Sequence, residues 1–197
     1  MGNVGIIGRA RVGKDTAGKW LVDERGYRRI GFADALKEAA LKVDPIVGTD
    51  TDDLVVEGAR LGETVRFWGW ERAKEIGDTR RFLQELGAAI RVLDPEFWLR
   101  IALRKAQEAN ESGVPVVITD VRYPNEAESL KRAGFHLVYV HRPGVPQLDH
   151  ESEGAIPPDD ADYVIPNTAG LPEFLSLIEW AADRIYDIES RRHSARL

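Results

Sequence analysis

Apolar positions recur along this chain in two registers: short β-branched runs, and longer stretches with helical period. Val4-Gly5-Ile6-Ile7 is a continuous apolar run that stops at Gly8, the pattern of a buried strand. From Lys14 to Arg25 there is no Pro, and Ala17, Trp20 and Leu21 fall at helical spacing. A helix is predicted there. The pattern then predicts a strand over 27–32, a helix over 33–43 and a Gly-, Thr- and Asp-rich loop over 44–53. Helices are predicted over roughly 63–76, 79–93 and 96–110. A β-branched strand over 114–119 ends at Asp120, a helix over 125–133 stops at Gly134, and a strand follows over 135–140. Residues 144–162 hold three prolines and six acids and read as loop. A last strand over 163–165 precedes an amphipathic helix over 172–188, with Leu171, Phe174, Leu175, Ile178, Ala181, Ala182, Ile185 and Ile188 expected on one face.

Five strands separated by helices predict an α/β fold, a five-stranded parallel sheet with helices on both faces. The insertion between the second and third strands is too long for a simple crossover. It is expected to form a lobe over the carboxyl ends of the strands, where such sheets bind ligands. The expected organisation is one domain, with a core of about 1–32, 96–142 and 162–197, an inserted lobe of 33–95 and a lid of 143–161.

Composition narrows the function classes. The chain has 197 residues, 43% of them hydrophobic, enough for a sizeable core. A pI near 5.3 argues against nucleic-acid partners, which call for a basic face. The absence of cysteine excludes disulfides, thiolate metal sites and cysteine catalysis. No stretch has the shape of a signal peptide or membrane span, so the expected setting is the cytoplasm, without a membrane partner.

Charge then points to a ligand. The first 31 residues hold seven Lys/Arg and three acids, in a chain of net charge −6. Residues 8–16 read Gly-Arg-Ala-Arg-Val-Gly-Lys-Asp-Thr, a P-loop with one irregularity. Asp15 takes the place of the usual Mg²⁺-binding Ser or Thr, and Thr16 follows it. Between strand and helix, Gly8 and Gly13 let the backbone curl so that its N–H groups and the helix dipole make an anion cradle. Gly8, Arg9, Ala10, Arg11, Val12, Gly13, Lys14, Asp15 and Thr16 are thus candidates for a nucleotide polyphosphate, with Lys14 reaching the β- and γ-phosphates.

Val116-Val117-Ile118-Thr119-Asp120 has the form of a Walker B strand, whose terminal carboxylate holds Mg²⁺ directly or through water. Arg122 follows two residues later. Arg80, Gln84 and Arg91 share a helical face and Arg81 neighbours Gln84. Such a group either grips a monophosphate and a base edge or is a solvated helix face. Arg142 is either a lid arginine that neutralises a phosphoryl group in transfer or an ordinary surface arginine. Asp149, His150, Glu151 and Glu153 read as a solvated acidic loop rather than a metal site. Asp50, Asp52 and Asp53 fail the EF-hand pattern, because Leu54 stands where Gly is needed. No Asn/Thr-Lys-x-Asp sequence is present, against a guanine-specific GTPase. Trp68 and Trp70 read as core residues that could also stack on a base.

With these motifs in order, the chain resembles the deoxynucleoside monophosphate kinases of tailed bacteriophages, a branch of the adenylate-kinase-like P-loop kinases. The resemblance rests on Gly13-Lys14-Asp15-Thr16, on Phe32-Ala-Asp-Ala-Leu-Lys37 and on Arg81-Phe-Leu-Gln-Glu-Leu-Gly87 with Arg91. Ile118-Thr-Asp-Val-Arg-Tyr-Pro-Asn-Glu126 and Tyr163-Val-Ile-Pro-Asn167 complete it. It implies transfer of the ATP γ-phosphoryl group to a deoxynucleoside monophosphate, with Mg²⁺. It implies that Asp15, Thr16 and Asp120 lie near the metal and that Arg122 and Arg142 stabilise charge in flight with Lys14. Asp34, Lys37, Arg81, Gln84 and Arg91 would serve the acceptor in the lobe, and Asn167 would lie near adenine. Ala88 departs from the Thr found in many relatives, and the lid lacks the usual arginines. The expected partners are ATP and the monophosphate, and a homodimer is left open. If of phage origin, the chain would work in the host cytoplasm. The alternatives are a P-loop kinase for another phosphorylated acceptor, such as phosphomevalonate, or a nucleotide-binding module without catalysis.

Overall fold

The computed structural model describes residues 2–49, 56–146 and 154–195. In chain order the elements are β1 (Val4–Ile7), α1 (Lys14–Arg25), β2 (Arg28–Ile30), α2 (Phe32–Val43), β3 (Ile46–Thr49) and β4 (Val56–Arg60). There follow α3 (Leu61–Ala73), α4 (Gly77–Leu93), α5 (Phe97–Glu111), β5 (Val116–Val121) and α6 (Pro124–Arg132). Then come β6 (His136–His141), β7 (Tyr163–Pro166) and α7 (Leu171–Ser194). They form two compact units: Met1–Phe32 with Ala102–Leu197, and Ala33–Ile101.

The first unit carries the five-stranded sheet, ordered β2-β5-β1-β6-β7, with every neighbouring pair parallel. Val4 of β1 sits opposite Val117 of β5 and His136 of β6. Successive β1 residues point to opposite faces. Val4 and Ile6 join Val117, Val138, Val140 and Ile165 under Ala17 and Leu21 of α1 and Phe174, Ile178 and Ile185 of α7. On the opposite face a side chain at Gly5 would strike Leu137 at 2.8 Å and Leu130 of α6 at 3.1 Å. Glycine here lets α6 close on the sheet, so helices do cover both faces. Burying each of these aliphatic side chains contributes about 1.5–3 kcal/mol. Because β5 and β6 flank β1, the strand order reverses at β1, and Gly8 emerges at that switch point.

The second unit packs Ala40, Val47, Leu61 and Leu83 with Leu36, Val65, Trp70, Phe82 and Leu86. The loop expected over 44–53 is in its described part a strand: β3 pairs antiparallel with β4, Ile46 opposite Arg60. Its Gly- and Asp-rich composition concealed an apolar pair, of which Val47 enters the core while Ile46 stays exposed. The helix expected over 63–76 begins earlier, at Leu61, and is broken by Gly69 at φ 72°. α7 runs past its apolar stripe to Ser194, where Glu189 holds Arg192 at 2.7 Å and His136 at 3.0 Å. Asp50, Asp52, Asp53 and 149–153 lie outside the described residues. No helix among the described residues is long and apolar enough to cross a membrane.

Candidate functional site

The P-loop is a built anion cradle. β1 ends at Ile7, Gly8 turns the chain at φ 144°, Arg11 takes a left-handed conformation at φ 63°, and Gly13 caps α1 at φ 113°. A Cβ at Gly8 would collide with the Val140 carbonyl oxygen. At Gly13 it would meet the Asn167 amide nitrogen at 2.8 Å and the Phe174 ring at 3.3 Å. Both glycines are therefore required by close approach as well as by backbone angle. The Lys14 ammonium arches back over the loop and donates to the carbonyls of Gly8 and Arg9, each at 2.6 Å.

Two further strands hold this loop in place. The Asn167 amide, just after β7, donates to the Val12 carbonyl at 2.8 Å, and its backbone N–H donates to the His141 carbonyl at 2.7 Å. In this structure Asn167 braces the loop. From β5, the buried Thr119 hydroxyl donates to the Asp15 carboxylate at 3.3 Å. Gly18 of α1 faces the Thr119 methyl so closely that a Cβ would overlap it. Thr16 is exposed on the same helical turn. The Asp120 carboxylate, half-buried at the end of β5, accepts the Phe32 N–H at 3.1 Å.

Arg122 and Lys14 share a narrow cleft with Ile7, Gly8, Arg9, Val121, Tyr139 and Ile156. Ile156, on the return limb of the segment expected as a lid, is 2% exposed. Ile156 thus seats the limb in this cleft at one point, while Gly154 and Pro157, Pro158, Asp159 and Asp160 beside it are exposed. Arg142 follows β6 directly and is exposed.

The remaining candidates lie in the second unit. Asp34 and Lys37 stand on α2, and the Lys37 ammonium lies 5.5 Å from the centre of the Trp70 ring. Trp70 thus serves the lobe's core and a cation at once. Arg81, Gln84 and Arg91 stand on α4. Arg81 pairs with Asp78 at 2.7 Å, and the other Asp78 oxygen accepts the Gly48 N–H at 3.2 Å, tying α4 to β3. Gln84 is exposed and Arg91 half-buried. Gly87 lets α4 approach α2, since a Cβ there would lie 3.2 Å from Leu36.

Three residues with clear roles here were not singled out from the sequence: Thr119, Asp78 and Glu126. Glu126 had a readable signal, a Glu three positions into a helix that opens with Pro124. Thr119 and Asp78 had none, because their partners are distant in sequence.

A parallel sheet whose first strand feeds a glycine-rich cradle and a lysine, beside an acid-ended strand, defines the P-loop class of nucleotide-binding proteins. Within that class, a family model described as deoxynucleotide monophosphate kinase matches residues 66–178. The chain is 30% identical over 186 residues to a protein of Acanthamoeba polyphaga mimivirus named provisionally as a deoxynucleotide monophosphate kinase, covering 89% of this chain and 93% of that one. It is 31% identical over 116 residues to the deoxynucleotide monophosphate kinase of Escherichia phage RB69, covering 55% of this chain and 48% of the phage protein. The dephospho-CoA kinase of Campylobacter jejuni aligns at TM-score 0.45 and 16% identity over 94% of this chain and 98% of that one. The chain belongs to the deoxynucleotide monophosphate kinase family.

Proposed function

We propose that this chain transfers the γ-phosphoryl group of ATP to deoxynucleoside 5′-monophosphates, giving ADP and the diphosphates. The observation that carries the proposal is the convergence of Lys14 and Arg122 on one cleft at the mouth of the P-loop. Phosphoryl transfer is chiefly positioning and charge stabilisation, so it calls for fixed cations more than for a base. Family membership supports the acceptor class and disfavours an isoprenoid phosphate or a purely regulatory nucleotide.

In this reading the loop N–H groups of residues 8–16 orient the ATP phosphates, and Lys14 exchanges its two carbonyl partners for phosphate oxygens. Arg122, with Arg142, meets the charge that builds on the transferring group. Asn167 keeps the loop in shape through Val12, and Asp34, Lys37, Arg81, Gln84 and Arg91 serve the acceptor. The donor set fits Mg²⁺, which takes one or two carboxylates and completes its shell with phosphate oxygens and water. Asp15, held by Thr119, and Asp120 are the carboxylates that would hold it, with Thr16 adjacent. When bound, the metal neutralises phosphate charge.

The test is an acceptor panel with ATP, covering the common deoxynucleoside and ribonucleoside monophosphates and phosphomevalonate, read as ADP formed. Deoxynucleoside monophosphates are expected to give the highest kcat/KM. Turnover with phosphomevalonate alone, or nucleotide binding with no acceptor-dependent ADP, would overturn the proposal.

A further inference from the structure

We infer that Glu126 is a positioning residue for the transfer, holding the backbone from which Arg122 reaches the P-loop cleft. The inference rests on the reading above, that Arg122 meets the phosphoryl group. Glu126 lies in the first turn of α6 and is only 5% exposed. Its Oε2 accepts two consecutive backbone N–H groups, from Arg122 at 2.8 Å and Tyr123 at 3.1 Å. The Glu126 N–H in turn donates to the Tyr123 carbonyl at 3.0 Å. The turn between β5 and α6 is thus closed on itself by one buried carboxylate.

Ordinary helix capping accounts for only one of these bonds. A residue at this position of a capping box satisfies the N–H of the cap residue, here Tyr123. The second bond goes to Arg122, which lies outside the helix and lines the cleft with Gly8, Arg9 and Lys14. Among the described residues the Arg122 guanidinium itself has no hydrogen bond or ion pair. Its reach is therefore set by where its backbone begins, and Glu126 sets that point. A buried carboxylate is costly unless hydrogen bonds satisfy it, so the site is built around this acceptor. Displacing a catalytic group by about 1 Å can cost about a hundredfold in rate. Glu126 touches no substrate in this scheme and acts through Arg122.

The test is a double-mutant cycle on the full chain, with ATP and the best acceptor of the panel. Glu126→Ala is expected to lower kcat by about ten- to a hundredfold, with KM for ATP changed much less. Glu126→Gln keeps an oxygen acceptor for the same N–H groups and is expected to retain most of kcat. Once Arg122→Ala is present, the further loss from Glu126→Ala is expected to fall to less than about twofold, because coupled residues do not add. Glu126→Asp, which keeps the charge and shortens the reach, runs the same cycle should the alanine variant fail to fold. Fully additive losses, or Glu126→Gln as damaging as Glu126→Ala, would overturn the inference while leaving the kinase reading intact. A wild-type chain that forms no ADP from any deoxynucleoside monophosphate would remove both.

Discussion

The Thr119 hydroxyl donates to the Asp15 carboxylate across 3.3 Å, joining the first turn of α1 to the end of β5. Asp15 occupies the position that carries a hydroxyl in most P-loops, and this contact fixes which way its carboxylate faces. Asp15 and Thr16 are both exposed, but Asp15 is the one that β5 holds, through Thr119. The carboxylate is on that ground the better-placed stand-in for the missing hydroxyl. Asp15→Ala is expected to raise the Mg²⁺ concentration for half-maximal turnover by about tenfold or more, about 1.4 kcal/mol of metal affinity. Thr16→Ala should shift it much less. A Mg²⁺ titration of both variants decides the matter, and the reverse order would assign the metal role to Thr16.

Gly8 and Gly26 both have positive φ, 144° and 68°, but their surroundings differ. A Cβ at Gly8 runs into the Val140 carbonyl oxygen, whereas one at Gly26 meets nothing within 4 Å. Gly26→Ala should cost only the left-handed backbone penalty, about 1–2 kcal/mol. Gly8→Ala adds a backbone collision and is expected to cost more, about 3 kcal/mol, with loss of nucleotide binding. Urea unfolding of the two variants provides the comparison. Equal losses would mean that the approach of β6 to the loop is soft.

These two relationships mark the limits of legibility. The cradle was readable because strand, loop and helix are consecutive: Val4–Ile7 and Lys14–Arg25 follow from local apolar spacing, and Gly8 and Gly13 from the turn between them. The parallel sheet was readable because helices separate β-branched runs. The β3–β4 hairpin was not, since only Val47 of the Ile46-Val47 pair enters the core and the composition around it is that of a turn. Asp15, Asp120 and Arg122 were legible as residue types at motif positions. What holds Asp15 and Asp120 was not, because Thr119 to Asp15 and Phe32 to Asp120 span 104 and 88 residues, whereas Glu126, which holds Arg122, lies four residues from it. Long-range pairing leaves no periodicity in the chain.

Asn167 shows how such a brace is tested. Its side-chain N–H donates to the Val12 carbonyl within the loop. Asn167→Asp keeps the shape but replaces the donor with an acceptor facing a carbonyl, and Asn167→Ala removes the group. The alanine variant should lose about 1–3 kcal/mol at the loop and raise KM for ATP more than KM for the acceptor. The aspartate variant should be at least as impaired, since two acceptors then face each other. If instead Asn167 contacts only the adenine, both variants would spare the loop and respond to the donor base, so a comparison of ATP with GTP separates the two cases.

Tyr27 provides a stability prediction with a definite pH sign. Its hydroxyl donates to the Gly2 carbonyl at 3.0 Å from a buried position. Burial pushes its pKa up from 10.0 to about 12, with the nearby Arg25 opposing that rise. The folded state therefore favours the neutral phenol more than the unfolded chain does. Below the unfolded value the full contribution is present. As pH rises from about 10 to about 12 the unfolded chain ionises first, and about 3 kcal/mol of stability is lost across that window. Tyr27→Phe cannot ionise and loses only the hydrogen bond, about 1 kcal/mol. At pH 8 the wild type should therefore be the more stable of the two by urea unfolding. Its advantage should shrink through pH 10–11 and then reverse, while other titrating groups cancel in the difference. A wild-type advantage that stays constant up to pH 12 would show that ionising the phenol costs the folded chain no more than the unfolded one, and that burial does not raise its pKa.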